Sequence, residues 1–200
     1  MRSFLIGLRV PHVSLARHGI LALLFASTLC FAQTPEYVPP SEAGPHGSAP
    51  GMQVKLLSSD SSGQKDYAVI FQSGDEPYAG LTQFAEQHHI QSAHFTAIGG
   101  FRDARLAWFD LQKKEFRVNP IDQQVEVVYL SGDIALLKGK PQVHMHCVVA
   151  LPGGTTRGGH ILGAHVSPLL EVFVTADPTP LYKEHNPATG LTLIKPNAKQ

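Results

Sequence analysis

Three histidines have a spacing that could bring three imidazole side chains to one metal ion. His144 and His146 are separated by one residue in an apolar run, and His160 follows a Gly-Gly pair further along the chain. Because side chains alternate between the two faces of a β-strand, His144 and His146 would point the same way. An antiparallel return of the next strand would place His160 beside them. The pattern therefore predicts a three-histidine metal site.

The chemistry of such a site follows from its donor set. Three neutral imidazoles with one open coordination position are typical of catalytic zinc. Imidazole also suits iron, nickel and copper, so spacing alone does not select the metal. We expect a divalent metal, with zinc favoured and iron or nickel as alternatives. The competing interpretation is structural, with the histidines hydrogen-bonded within the sheet or lining a subunit interface.

Other residues could assist or extend this site. Glu171 is a carboxylate in the apolar run 169–174, which indicates a general acid or base or a group that orients a metal-bound histidine; a salt bridge or a solvent-facing position is the alternative. His165 lies five residues after His160, an offset that places it on the opposite face of a regular strand, so it ranks below the three. Arg102 and Arg157 could bind an anionic substrate or be ordinary surface charges.

The elements that position these residues are predicted to be mostly strands. A helix is predicted over residues 78–89, with Pro77 in its first turn and an inner stripe of Leu81, Phe84 and Ala85. The sequence thus predicts an α+β fold around a central, largely antiparallel sheet of about seven strands with a few flanking helices. Strand-like runs cover residues 53–58, 67–72, 93–101, 105–110, 114–119, 124–130, 133–137, 143–151, 161–166, 169–175 and 191–194.

The first segment has the order of a secretory signal. Residues 1–18 carry three arginines and no acidic residue, and an apolar run follows from Gly19 to Ala32. We predict a signal peptide over residues 1–32, cleaved after Ala32, and hence a periplasmic or secreted protein. The run is shorter than the roughly 20 residues of a transmembrane helix, so no membrane span is expected after cleavage. An uncleaved anchor is the alternative.

Composition bounds the rest of the chain. Prolines and glycines concentrate in residues 33–52, which predicts a flexible leader before a domain at 53–196 and a tail at 197–200. The leader and domain would hold one cysteine, Cys147, interpreted as a buried small hydrophobe rather than a reactive thiol. A content of 43% hydrophobic and 16% charged residues excludes a wholly disordered chain and a coiled coil.

Charge disfavours a polyanionic partner. The 16 basic and 16 acidic residues cancel, but residues 1–32 contain three of the arginines, so 13 basic and 16 acidic residues remain, a net charge of −3. A domain with this balance has no evident electrostatic attraction to DNA or to an anionic membrane.

An ordered set of motifs resembles the PPC (plants and prokaryotes conserved) domain family over residues 65–195. The resemblance implies a compact α/β fold with a central antiparallel sheet, usually assembled as a homotrimer. Plant members join this domain to AT-hooks and act on DNA, and prokaryotic members are often labelled DNA-binding by that analogy. The motifs are Gly74-Asp75-Glu76-Pro77, Ala97–Phe101, Glu126-Val127 through Gly132, His144-Met145-His146, Gly158-Gly159-His160 and Glu171-Val172.

The DNA analogy is weak for this chain. An AT-hook needs an Arg-Gly-Arg-Pro core, which the sequence lacks, and an exported protein does not ordinarily meet the chromosome. A more distant likeness is to acetolactate decarboxylase, in which a His-x-His pair and a later histidine hold zinc. Carried over, the likeness implies His144, His146 and His160 as ligands, but that enzyme's other catalytic residues have no identifiable counterparts here.

The resulting expectation is an exported, trimeric PPC-domain protein that binds a divalent metal and a small anionic or carbonyl ligand. An enzyme of lyase or hydrolase type is one form of this expectation, and whether the protein is an enzyme stays open. A non-catalytic trimeric interaction module is the first alternative. A DNA-binding protein is the second, and it is disfavoured.

Overall fold

The computed structural model describes residues 34–198, and the predicted signal peptide lies outside the described residues. Within that part of the chain, no helix is long and apolar enough to cross a membrane. The elements are β1 (Tyr37–Val38), β2 (Gln53–Ser59), β3 (Lys65–Gln72), α1 (Pro77–Gln87), β4 (Ser92–Asp110), β5 (Glu115–Ile121), β6 (Val125–Leu137), β7 (Lys140–Ala150), β8 (Thr156–Ala176), β9 (Lys183–His185) and β10 (Thr192–Ile194).

Eight strands form one antiparallel sheet in the order β1-β5-β4-β6-β7-β8-β3-β2, and β9 pairs with β10 separately. Strand β4 pairs with both β6 and β8, and β7 also pairs with both β6 and β8. These four strands therefore form a closed ring of pairings. The predicted α+β class with a largely antiparallel sheet is confirmed. The main sheet has eight strands rather than about seven, and residues 34–198 contain one α-helix rather than a few.

Several runs predicted as separate strands belong to single long strands. Residues 93–101 and 105–110 are joined in β4, and residues 161–166 and 169–175 are joined in β8. Register shifts in the β4–β8 pairing mark β-bulges at these places. A bulge bends a strand and changes which side chains face the core without ending the strand.

Helix α1 begins where the sequence placed a proline. The side chain of Glu76 accepts hydrogen bonds from the backbone N–H groups of Tyr78 at 3.2 Å and Ala79 at 2.6 Å, and Pro77 occupies the first turn. Such a cap satisfies donors that have no partner within the helix. The buried face includes the predicted Leu81 and Phe84, which pack in the main core.

The main core lies within the ring of strands and under α1. On β7, Val143, Met145 and Cys147 are buried in it, so the intervening histidines face away, as strand alternation predicts. A smaller second cluster lies on the other side of β4 and β5. It consists of Ala107, Phe116, Val118 and Leu162, with Val38, Ala43, Phe109 and Leu191 packed against it.

Both flanks of the chain pack onto the sheet. In the segment predicted to be a flexible leader, β1 pairs with β5 and Ala49 is buried in the main core. At the other end, the backbone N–H of Leu136 donates to Leu181 at 2.8 Å, which holds the β9–β10 hairpin beside β6. The ordered packing therefore extends to the N-terminal side of residue 53.

Candidate metal centre

Strand pairing brings the three predicted histidines together. β7 and β8 are antiparallel, with His160 directly opposite His146, and His144 lies one alternation away on the same face of β7. The predicted antiparallel return therefore occurs. The turn itself is at residues 152–154, not at the Gly-Gly pair, which lies within β8.

The distances suit a shared metal ion. One ring nitrogen from each histidine lies within 4.8 Å of the other two, and Nε2 of His144 is 3.2 Å from Nε2 of His146. Tetrahedral zinc with bonds of about 2.0–2.1 Å needs nitrogens roughly 3.3–3.4 Å apart. The separation of His144 and His146 is already close to that spacing, and the third nitrogen lies within 4.8 Å of both, so the donor set fits a metal with three imidazole ligands.

Gly159 allows His160 to reach this position. A side chain at Gly159 would place its Cβ 2.5 Å from the carbonyl oxygen of Ala107 on β4. Only glycine lets β8 approach β4 so closely at this point, immediately before the third histidine. The Gly-Gly-His motif therefore lies within a strand, where Gly159 allows close packing of β8 against β4.

His160 is held as a neutral ring. It stacks on Phe116, with centroids 4.6 Å apart and 15° between the planes. Burial, and then the nearby His144 and His146, lower the pKa of His160 to about 3. The pKa of His146 is also lowered, mainly by burial. Neutral imidazole is the form that binds metal.

Asp133 orients the first histidine. It lies opposite His144 in the β6–β7 register, and its Oδ2 is 3.2 Å from Nδ1 of His144. A carboxylate on Nδ1 fixes the tautomer that leaves Nε2 free for a metal. Burial alone would raise the pKa of Asp133, but His144 and Lys183 together lower it, so the carboxylate is charged.

Lys183 completes this arrangement from the C-terminal hairpin. Its Nζ lies 2.7 Å from Oδ1 of Asp133 and donates to the backbone oxygen of Gln142 at 3.2 Å. Its side chain is only 3% exposed, and burial lowers its pKa against the opposing effect of Asp133. Neither Asp133 nor Lys183 was predicted from the sequence. Counting the same number of residues outward on each side of the Lys138-Gly139 turn would have placed Asp133 opposite His144. The residues around Lys183 give no indication that it lies near the histidines.

The structure does not bring Glu171 to the histidines. It is half-buried on β8 opposite Ile98 of β4, whereas His160 lies opposite Ala107, about 30 Å further along the strand. Glu171 also does not line the histidine cavity. Asp133, rather than Glu171, is the carboxylate that contacts one of the three histidines.

His165 lies outside the triad, but for a different reason from the predicted one. Ile161 and Ala164 both pack in the main core although they are three residues apart, because a β-bulge inserts an extra residue between them. The bulge returns His165 to the same side of the strand as His160, so the predicted opposite face was wrong. Distance along the strand separates them, and Nδ1 of His165 pairs with Asp103 at 2.7 Å.

Neither candidate arginine lines the histidine cavity. Nε of Arg102 donates to Asp103 at 2.8 Å, and Arg157 lines a separate depression beside Pro120. The cation at the histidine cavity is Lys183 instead.

The histidines open into a cavity of about 420 Å³. This volume is within the range of small-molecule sites. Gln142 also lines the cavity, and its buried Oε1 has no hydrogen-bond partner among residues 34–198. Most of the remaining lining is apolar, from Pro40, Ala43, Trp108, Phe109, Phe116, Leu191 and Leu193.

Comparison with known proteins identifies one family. Residues 58–177, more than half of the chain, match the model of the Plants and Prokaryotes Conserved (PCC) domain. A search of curated proteins gave no significant match.

Several solved structures are similar over nearly their whole length. A proposed DNA-binding protein of Ralstonia eutropha JMP134 is 30% identical with a TM-score of 0.63, covering 70% of this chain and 95% of its own. A metal-containing protein of Archaeoglobus fulgidus is 26% identical with a TM-score of 0.61, covering 72% and 97%. A proposed DNA-binding protein of Bacteroides thetaiotaomicron is 22% identical with a TM-score of 0.67, covering 74% and 99%, and shows the fold alone.

Proposed function

The chain belongs to the plants and prokaryotes conserved domain family, and from this premise we propose that it binds a divalent metal through His144, His146 and His160 and presents that metal to a small anionic or carbonyl ligand. The observation that carries the proposal is the convergence of three imidazole nitrogens within 4.8 Å at the edge of a cavity. The metal-containing relative from Archaeoglobus fulgidus supports it.

The residues around the histidines have distinct tasks in this proposal. Asp133 holds Nδ1 of His144, Phe116 fixes the ring of His160, and Lys183 neutralises Asp133. Zinc is the favoured metal because three imidazoles with an open position suit it, and iron and nickel are the alternatives. When bound, such a metal supplies a Lewis acid or an activated water.

An enzymatic role would depend on the metal rather than on a carboxylate base. Among the described residues, no Asp or Glu lines the histidine cavity. Asp133 is already engaged by His144 and Lys183. A lyase or hydrolase reaction would therefore rely on chemistry that a metal held by the three histidines would supply, and ligand binding at the metal is the part of the proposal that the geometry supports best.

Zinc titration of the full chain, purified without a polyhistidine tag or chelators, tests this function. We expect about one zinc per chain with micromolar affinity or better. His160→Gln should lose this binding. His165→Gln is the matched control, because His165 lies on the same strand but pairs with Asp103. Zinc binding that is absent from the parent, or unchanged in His160→Gln, would overturn the proposal.

We also propose that the protein is exported and assembles as a homotrimer. Exposed apolar side chains on the outer face of the strand ring support self-association: Ile98 and Val128 are more than half exposed, and Tyr129 and Phe173 lie beside them in the strand register. Light scattering should give three times the chain mass, and Ile98→Asp should reduce the measured mass, whereas Leu57→Asp on β2 should not.

The proposal of export has its own test. Mass spectrometry of exported protein should find Gln33 at the N-terminus.

DNA binding is a second candidate function. The similar protein of Ralstonia eutropha JMP134 is a proposed DNA-binding protein, which does not favour the expectation that DNA is an unlikely partner. The net charge of −3 over residues 33–200 argues against it. A mobility shift of duplex DNA at low ionic strength, weakening as salt rises, would support this function, and no shift at low ionic strength would end it.

A further inference from the structure

Part of the histidine cavity is built from chain outside the family-matched residues. Pro40 and Ala43 precede the matched residues 58–177, and Lys183, Leu191 and Leu193 follow them, yet all five line the cavity. This part of the wall therefore lies outside the residues that the family model matches.

The two flanks are fixed by backbone hydrogen bonds. On the N-terminal side, the N–H of Val118 donates to Glu36 at 2.9 Å beside the β1–β5 pairing. On the C-terminal side, Asn186 donates to Leu191 at 2.8 Å, which closes the hairpin that carries Leu193. The wall thus has the same kind of support as the strands of the domain.

The lining of the cavity is part polar and part apolar. The polar part consists of the three histidines, Lys183 and Gln142. The apolar part combines Trp108, Phe109 and Phe116 of the domain with the flanking residues, and Phe116, stacked on His160, lies where the two parts meet. A ligand that fills such a cavity needs a metal-binding group for the polar part and an apolar body for the rest.

The net charge around the bound metal determines which kind of ligand group is favoured there. Three neutral imidazoles leave the two positive charges of a bound divalent ion uncompensated, and the Lys183–Asp133 pair adds no net charge. An anionic ligand group is therefore favoured at the open coordination position. A carboxylate meets this requirement and matches the ligand class of the proposed function.

We infer that this cavity binds a small carboxylate with an apolar body of about the size of an aromatic ring, and that the flanking wall at Leu191 and Leu193 determines this selectivity. The inference rests on the proposed metal site, since the carboxylate binds the metal. The apolar body contacts the leucines of the hairpin and the aromatic residues of β4 and β5, which line the same cavity. Burial of its apolar surface supplies the preference over a carboxylate without such a body.

The test uses the full chain loaded with Co²⁺, whose visible spectrum reports ligands at the metal. Acetate and phenylacetate are titrated separately. Phenylacetate should bind at least tenfold more tightly than acetate. Leu193→Asn should remove most of this preference while leaving acetate and metal affinity within about threefold of the parent, because it removes apolar surface without adding charge. Ile194→Asn is the matched control: Ile194 is the next residue on β10, is similarly exposed and does not line the cavity.

The outcomes separate the two proposals. Failure of Co²⁺ and Zn²⁺ to bind at the histidines would overturn the metal site. Metal binding with equal affinities for acetate and phenylacetate, or with no spectral response to either, would overturn the selectivity and leave the metal site intact. An equal loss of preference in Leu193→Asn and Ile194→Asn would contradict the role of the cavity wall.

Discussion

Asp133 and His144 face each other across the β6–β7 pairing, with Oδ2 of the carboxylate 3.2 Å from Nδ1 of the imidazole. The contact leaves Nε2 of His144 beside Nε2 of His146, at 3.2 Å. One register pair therefore links a partly buried carboxylate to the orientation of a candidate metal ligand. Strand register, more than any single residue, determines the geometry of this site.

Asp133→Asn should lower zinc affinity by about 10- to 100-fold, because the amide orients His144 less strongly and makes its ring less basic. Competition titration against a zinc chelator measures this change. Asp103→Asn is the control, since Asp103 makes a similar contact with His165 outside the triad. Equal zinc affinity in Asp133→Asn and the parent would contradict the orienting role.

Lys183→Met should destabilise the fold by about 2–4 kcal/mol, because it leaves the partly buried Asp133 without its cation. Urea denaturation of the metal-free protein measures the loss in the free energy of unfolding. The control is Lys195→Met, which breaks the exposed pair with Glu184 and should cost less than about 1 kcal/mol. Similar losses in both variants would show that Lys183 is not buried as described.

Gly159→Ala should destabilise the protein by about 1–3 kcal/mol, because the new Cβ would overlap the carbonyl of Ala107. Displacement of β8 should also weaken zinc binding through His160. Gly163→Ala is the control: it lies on the same strand, and its Cβ would meet no atom within 4 Å. If thermal unfolding and zinc titration give the same result for both variants, close packing of the strands at Gly159 is excluded.

Cys147 should be unreactive in the native protein at pH 8.5, since burial raises the pKa of its thiol to about 12. Iodoacetamide should label the peptide that carries Cys147 only after unfolding, as mass spectrometry would show. Because the folded protein holds the thiol proton more tightly than the unfolded chain, the contribution of Cys147 to the free energy of unfolding is fully present below about pH 9. This contribution is lost as the pH rises towards 12. Cys147→Val should flatten that loss. Rapid native labelling would contradict burial.

Strand alternation was enough to predict much of the site. The apolar residues around His144 and His146 implied an inner face, and a return strand implied the approach of His160. Helix α1 was predicted equally well, because a proline marks its first turn and its apolar residues have helical spacing. These inferences depend on neighbours in sequence, where the physical rules are local.

The parts that failed depend on register and long-range packing. A single extra residue in β8 reversed the face expected for His165, and alternation cannot show where a bulge occurs. Lys183 reaches Asp133 from a hairpin fifty residues along the chain. The apolar run around Glu171 indicated burial but not its distance from the histidines.

X-ray absorption at the zinc edge of the zinc-loaded full chain tests the central claim most directly. The account predicts nitrogen or oxygen neighbours at about 2.0–2.1 Å with the outer-shell pattern of three imidazoles. That pattern should fall to fewer imidazoles in His160→Gln and stay unchanged in His165→Gln. A sulfur neighbour at about 2.3 Å, or a shell without imidazole scattering, would contradict the three-histidine site.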